Sequence, residues 1–180
     1  VGGPDINRKL AATGHKSRFV HGLRVTDVKT VHLVAKALEE VNRRLVKQVE
    51  KLGGHAEGLT AQHEIIGAEP HPQADELGCV GTVAWVQTAL IRRIFNHHAI
   101  PVLSPIGVGQ GQLYNINADD VASEVAISLR AEKLVLLTNV RGIMRQADDP
   151  RSLISTLSVS DAKRLIERGI VQEGMIPKVQ

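Results

Sequence analysis

One stretch limits the fold more than any other: Gln112-Leu113-Tyr114-Asn115-Ile116-Asn117-Ala118-Asp119-Asp120, followed by Val121 to Ala126. It reads as a short strand running straight into a helix, the repeating unit of an α/β chain. Leu113, Ile116, Val121, Val125 and Ala126 supply the apolar positions, and Asn117 or Asp119 is a natural N-cap. Asn115 and Asn117 alternate with Ile116, so both amides point to one side of an extended segment. Asp119 falls in the first helical turn. A carboxylate there can organise cations around a reacting group, or it can simply complete the turn.

Composition supports the same class. Phe19, Trp85, Phe95 and Tyr114 are the only aromatics in 180 residues, so the core is built of Val, Leu, Ile and Ala, as buried parallel strands require. Scarce aromatics also leave no stacking platform for nucleic acid. The net charge of +3 is mild and dispersed, with some bias towards anionic ligands such as nucleotides. Cys79 is the only cysteine, which excludes an intrachain disulfide and a cysteine metal site and fits a reducing compartment. No run is long and apolar enough to span a membrane, and no signal peptide opens the chain. Val1-Gly2-Gly3-Pro4 reads as the middle of a motif and Lys178-Val179-Gln180 as the inside of a helix. The sequence is therefore expected to be part of a longer protein.

The remaining elements follow from spacing. Gly2-Gly3-Pro4 opens a helix with Ile6 and Leu10 inward and Gly14 as its stop; such a turn exposes N–H groups that can cradle phosphate, or is a plain tight turn. Ser17 to Val20 reads as a strand. Thr26 is the expected cap of a helix carrying Val31, Val34, Ala35 and Leu38, and a second helical pattern has Val41, Leu45, Val49 and Leu52 inward. Ala56 to Leu59 is a strand, whereas 60–78, with His63, Glu64, Glu69, His71 and Asp75, reads as a polar loop without metal-ligand spacing. Cys79 to Val83 is strand or hairpin, Thr88 to Asn96 a helix and Ile100 to Ser104 a strand. The Gly107-Val108-Gly109-Gln110-Gly111 run leads into a strand, which excludes a dinucleotide loop. Lys133 to Leu137 reads as a buried parallel strand, and Ser158 with Asp161 caps a helix that Gly169 ends.

Four motifs in order resemble the N-acetylglutamate kinase branch of the amino acid kinase family: Gly2-Gly3-Pro4, Gly22-Leu23-Arg24-Val25-Thr26-Asp27, Asn115-Ile116-Asn117-Ala118-Asp119 and Gly174-Met175-Ile176-Pro177-Lys178. The chain departs from the family pattern at Val1, where a further Gly is usual, at Asn139, where Asp is usual, and at Ala61-Gln62-His63-Glu64. The resemblance implies a three-layer α/β/α sandwich with a mainly parallel sheet. Residues 1–130 would form the acyl-amino acid lobe and 131–180 the start of an ATP lobe. It implies transfer of the γ-phosphoryl of ATP, with Mg²⁺ carried by the nucleotide and no protein metal site, to the γ-carboxylate of N-acetyl-L-glutamate in arginine biosynthesis.

The same resemblance implies the roles. Gly2, Gly3, Arg24 and Asn115 would bind the acyl-amino acid, and Lys178 and Asp119 would serve the transfer, Lys178 by offsetting charge and Asp119 by orienting lysines. Thr138, Asn139, Val140, Arg141, Gly142 and Ile143, with Ile170, Val171 and Gln172, would contact the nucleotide. A cytoplasmic homo-oligomer, dimeric or hexameric, is implied, with arginine or a PII-type protein as possible effectors and neither nucleic acid nor membrane as partner. A sister kinase with another substrate, a non-catalytic regulatory paralogue and a simple anion-binding module are the alternatives.

Overall fold

The computed structural model describes residues 2–138, 142–146 and 149–171. The chain divides into two compact units, Val1–Glu132 and Lys133–Gln180.

The first unit opens with helix α1 (Gly3–Ala12), which buries Ile6 and Leu10. A hairpin of β1 (Phe19–Val20) and β2 (Leu23–Arg24) leads into α2 (Val28–Lys51). The two helical patterns of the sequence are therefore one continuous helix. Its cap is Asp27, whose carboxylate accepts from Thr30 N at 2.7 Å. Thr26, the expected cap, is instead buried, because its hydroxyl donates to the Arg24 carbonyl at 2.7 Å. Val31, Val34, Leu38 and Val41 are buried on one face of α2, each contributing about 1.5–3 kcal/mol. Leu45 and Leu52, expected inward, are exposed. Beyond Asn42 the burial is partial, with Val46 near Gly58 of the next strand and Val49 near Gly54.

Strands β3 (Ala56–Leu59), β4 (Ile66–Pro70), β5 (Gly81–Val86), β6 (Ile100–Leu103), β7 (Ile106–Gly109) and β8 (Gln112–Asn115) follow, with helices α3 (Ala74–Leu77) and α4 (Thr88–Asn96) between them. Helix α5 (Ala118–Leu129) closes the unit. Neighbours joined by crossovers are parallel, β3 with β6 and β4 with β7. Hairpin neighbours are antiparallel, β4 with β5 and β7 with β8. The sheet order is β5-β4-β7-β8.

The sheet separates two apolar layers. Ile6, Leu10, Val34, Ala35, Leu38 and Ile106 form one core with α1 and α2. Ile66, Ala68, Ile91, Ile94, Tyr114 and Val121 form the other with α4 and α5. Leu113 packs against the first and Tyr114 belongs to the second, as alternation along a strand demands. The α/β class expected from the sequence is the class found.

Two stretches differ from expectation. Residues 60–78 are not a polar loop: Ile65, Ile66 and Ala68 are buried, and β4 pairs on both sides. His63 and His71 close turns there, each Nδ1 accepting a backbone N–H, from Thr60 and from Gln73. Conversely, Lys133 to Leu137 is not a strand, and Val135 and Leu137 are exposed. Among the described residues nothing pairs with it, so its apolar side chains have no layer to enter.

In the second unit Met144 bridges Leu153, and Ile154 N bonds to Ile143 O at 2.8 Å. Helix α6 (Val159–Glu167) has Ser158 as its cap, as expected, and buries Ala162. Among the described residues no helix is long and apolar enough to cross a membrane.

Candidate functional site

Two hairpins and two helix starts converge on one cavity of about 220 Å³ in the first unit. Its lining includes Gly3, Phe19, Gly22, Arg24, Asn115, Asn117 and Ala118. Three of the four residues expected to bind the acyl-amino acid, Gly3, Arg24 and Asn115, therefore share one wall system.

Gly2 is the N-cap of α1 at φ 100°, and a Cβ there would stand 2.8 Å from Leu38 Cδ2. Only glycine meets both conditions, so the residue fixes how α1 enters the site. The first intrahelical bond runs from Ile6 N to Gly2 O at 2.8 Å. The N–H of Gly3 precedes that ladder, at the positive end of the helix dipole. Asn117 caps α5 by accepting from Asp119 N at 2.8 Å, which brings a second positive helix end to the same cavity.

Arg24 is buried, and burial pushes its guanidinium down from its ordinary value. Its Nη2 donates to Asn7 Oδ1 at 2.7 Å and its Nη1 to Ser17 Oγ. Ser17 Oγ in turn donates to Asn7 Oδ1 at 3.1 Å. The Phe19 ring lies 4.6 Å from the guanidinium carbon, because Phe19 and Arg24 are cross-strand partners in the first hairpin. A planar cation held by two hydrogen bonds and an aromatic ring at a cavity wall is suited to a carboxylate.

Asn115 ends the second hairpin. Its Nδ2 donates to Thr26 Oγ1 at 3.2 Å; that hydroxyl spends its proton on the Arg24 carbonyl, which fixes the amide orientation. Among the described residues, no other hydrogen bond engages the Asn115 carboxamide, and Asn115 lines the cavity. Residues 77–80 tie the two hairpins together: Thr26 N bonds to Leu77 O, Cys79 N to Thr26 O and Asn115 N to Cys79 O. Cys79 is buried in this strap, and its thiol is pushed up by burial.

Asp119 sits in the first turn of α5, next in sequence to the lining residues Asn117 and Ala118. Of the nucleotide-contact residues expected from the sequence, Thr138, Gly142, Ile143, Ile170 and Val171 are described, in the second unit. Val171 is buried there. Asn139, Val140, Arg141, Gln172 and Lys178 lie outside the described residues. The second unit has its own cavity of about 280 Å³, lined by Arg145, Thr156, Asp161, Arg164 and Arg168 among others, and none of the described contact residues (Thr138, Gly142, Ile143, Ile170 and Val171) lines it. Sequence reasoning missed Asn7, Ser17 and Phe19. The available signal was local: Asn7 stands one helical turn after Gly3, and Phe19 stands across the Val20–Leu23 turn from Arg24.

The site can bind an anionic ligand through one guanidinium, one carboxamide and two helix N-termini. The model of the amino acid kinase family matches residues 1–180. Acetylglutamate kinase from Syntrophomonas wolfei is 43% identical over 99% of this chain and 63% of its own length. The chloroplastic acetylglutamate kinase of Arabidopsis thaliana is 43% identical, over 99% of this chain and 52% of its own length. The chain thus spans less than two thirds of the length of these relatives. Among solved structures, smu.665 from Streptococcus mutans superposes with a TM-score of 0.88 at 28% identity, over 99% of this chain and 72% of that one. N-acetylglutamate synthase from Neisseria gonorrhoeae, complexed with coenzyme A and N-acetyl-glutamate, gives 0.78 at 25% identity, over 97% and 40%. With two helix starts facing one cavity and a family match along its whole length, the chain belongs to the amino acid kinase family.

Proposed function

We propose that the protein is an N-acetyl-L-glutamate kinase, transferring the γ-phosphoryl of ATP to the γ-carboxylate of the acyl-amino acid in arginine biosynthesis. The observation that carries this reading is the convergence of Gly3, Arg24 and Asn115 on one cavity between two helix N-termini. The relatives named acetylglutamate kinase support the substrate class, as does the neighbour crystallised with N-acetyl-glutamate.

In this reading the first unit holds the acyl-amino acid and the second begins the ATP lobe. Arg24 takes a carboxylate of the substrate, and Asn115 fixes the acylated amine end. A carboxylate is already a competent nucleophile, so no base is needed. The work is positioning and neutralisation of charge on the moving group. The N–H groups of Gly2 and Gly3 face the transferring phosphoryl, Lys178 offsets its charge and Asp119 orients the cations. Thr138 to Ile143 and Ile170 to Gln172 contact the nucleotide, and Mg²⁺ arrives as part of the ATP substrate. A cytoplasmic homo-oligomer, with arginine or a PII-type protein as effector, completes the reading.

The test uses the full-length protein and follows ADP release with Mg-ATP and N-acetylglutamate, with glutamate and aspartate as controls. Turnover is expected with the acetylated substrate alone, and Arg24→Ala and Lys178→Ala each lower kcat/KM on the order of a hundredfold. ATP binding without turnover of any substrate would instead establish the regulatory paralogue.

A further inference from the structure

The closed ring of hydrogen bonds around Arg24 does more than satisfy it. Arg24 has five N–H groups, of which one goes to Asn7 and one to Ser17. Because Ser17 Oγ accepts from Arg24, its own proton goes to Asn7 Oδ1. Every donor and acceptor in the ring has one direction. Phe19 covers the guanidinium face. The ring also links two separate elements, since Asn7 belongs to α1 and Arg24 to the first hairpin. On α1, Asn7 is one turn past Gly3, about 6 Å along the axis from the helix start whose free N–H groups point out of the N-terminus. One helix thus carries both the N–H groups assigned to the transferring phosphoryl and the side chain that aims the carboxylate anchor.

The geometry points to Asn7 and Ser17 as positioning residues that lock Arg24 to helix α1 and so set the span between the carboxylate anchor and the phosphoryl-transfer end of the cavity. The inference rests on the kinase reading for its consequence, not for the ring itself. A dicarboxylic substrate of the right length bridges the span, and one shorter by a methylene does not. Loosening the ring lets the guanidinium turn. Anchor strength then falls, and discrimination by chain length falls with it.

Two measurements on the full-length protein test this. The first is nitrogen NMR of the Arg24 guanidinium, assigned by its loss in Arg24→Lys. Restricted rotation is expected in the parent and free rotation in Asn7→Ala. The second is kinetics. Asn7→Ala and Ser17→Ala raise KM for N-acetylglutamate on the order of tenfold, with kcat and the KM for ATP within about twofold. Both lower the preference for N-acetylglutamate over N-acetylaspartate, and Ser17→Thr, which keeps the hydroxyl, restores parent behaviour. In an Arg24→Ala background, Asn7→Ala has no further effect, because it acts through Arg24. Free rotation of Arg24 in the parent, an additive Asn7→Ala effect in that background, or an equal loss for ATP overturns the inference. Restricted rotation released by Asn7→Ala, in a parent that turns over no acylated substrate, upholds the positioning ring and sinks the kinase reading alone.

Discussion

Two hairpins in the first unit use the same turn and hold their functional side chains by different means. His21-Gly22 in the first and Gln110-Gly111 in the second all have positive φ, 47° and 77° against 49° and 74°, as a type I′ turn requires. Each hairpin ends in a residue that lines the cavity, Arg24 or Asn115, and each is followed within three residues by a helix cap, Asp27 or Asn117. The first hairpin is two residues deep and its arginine is aimed by the side chains of Asn7, Ser17 and Phe19. The second is four residues deep, forms the β7-β8 end of the four-stranded sheet, and has its asparagine backbone bonded to Cys79. An anchor held by side chains can be retuned one residue at a time. An anchor held by the sheet cannot be moved without moving the sheet.

The largest effect that separates them is steric. A Cβ on Gly109 would stand 1.9 Å from the Ala68 carbonyl oxygen, whereas one on Gly22 meets nothing within 4 Å. Gly109→Ala should cost about 3 kcal/mol in urea unfolding, by forcing β7 away from β4. Next come the matched turn variants Gly22→Ala and Gly111→Ala, which have open space and nearly equal φ. Each should lose about 1–2 kcal/mol, and unequal losses would show that the two turns are not equivalent. The smallest effect separates the caps. Asp27→Ala and Asn117→Ala should each cost about 1 kcal/mol at neutral pH. The Thr30 backbone N–H holds the Asp27 carboxyl below its ordinary value. A depressed carboxyl stabilises the fold above its ordinary range and loses that contribution as pH falls through its folded value. The cost of Asp27→Ala should therefore fade in acid, while Asn117 carries no charge to titrate and its cost should not fade in the same way.

Local signals were legible in the sequence where the responsible residues were close together. The strand-to-helix stretch from Gln112, the stop at Gly14 and the Ser158 cap needed only spacing and capping chemistry. The Gly107 to Gly111 run leads into strand β8, as its spacing predicts, and the turn it makes joins β7 to β8. Burial was harder. Ile66 to Pro70, flanked by histidines and carboxylates, forms an inner strand, and Lys133 to Leu137, all but one apolar, is no strand. What decides these cases is whether neighbouring strands exist, and neighbours are distant in sequence. The site divides the same way: Arg24 and Asn115 lie in motifs, whereas the ring that aims Arg24 joins α1, the first hairpin and Ser17 in the loop between them.

Helix α2 is about 36 Å long at 1.5 Å per residue, and all of its fully buried side chains lie between Thr30 and Asn42. From Thr30 to Asn42 it is anchored at nearly every turn, ending where Asn42 donates to the Val102 carbonyl at 2.7 Å. From Arg43 to Lys51 it carries no buried side chain. Backbone amides along it will therefore not exchange with deuterium as one unit. Those before Asn42 open only with the whole domain, and those after it open by fraying from Lys51, giving a single helix two kinetic lives.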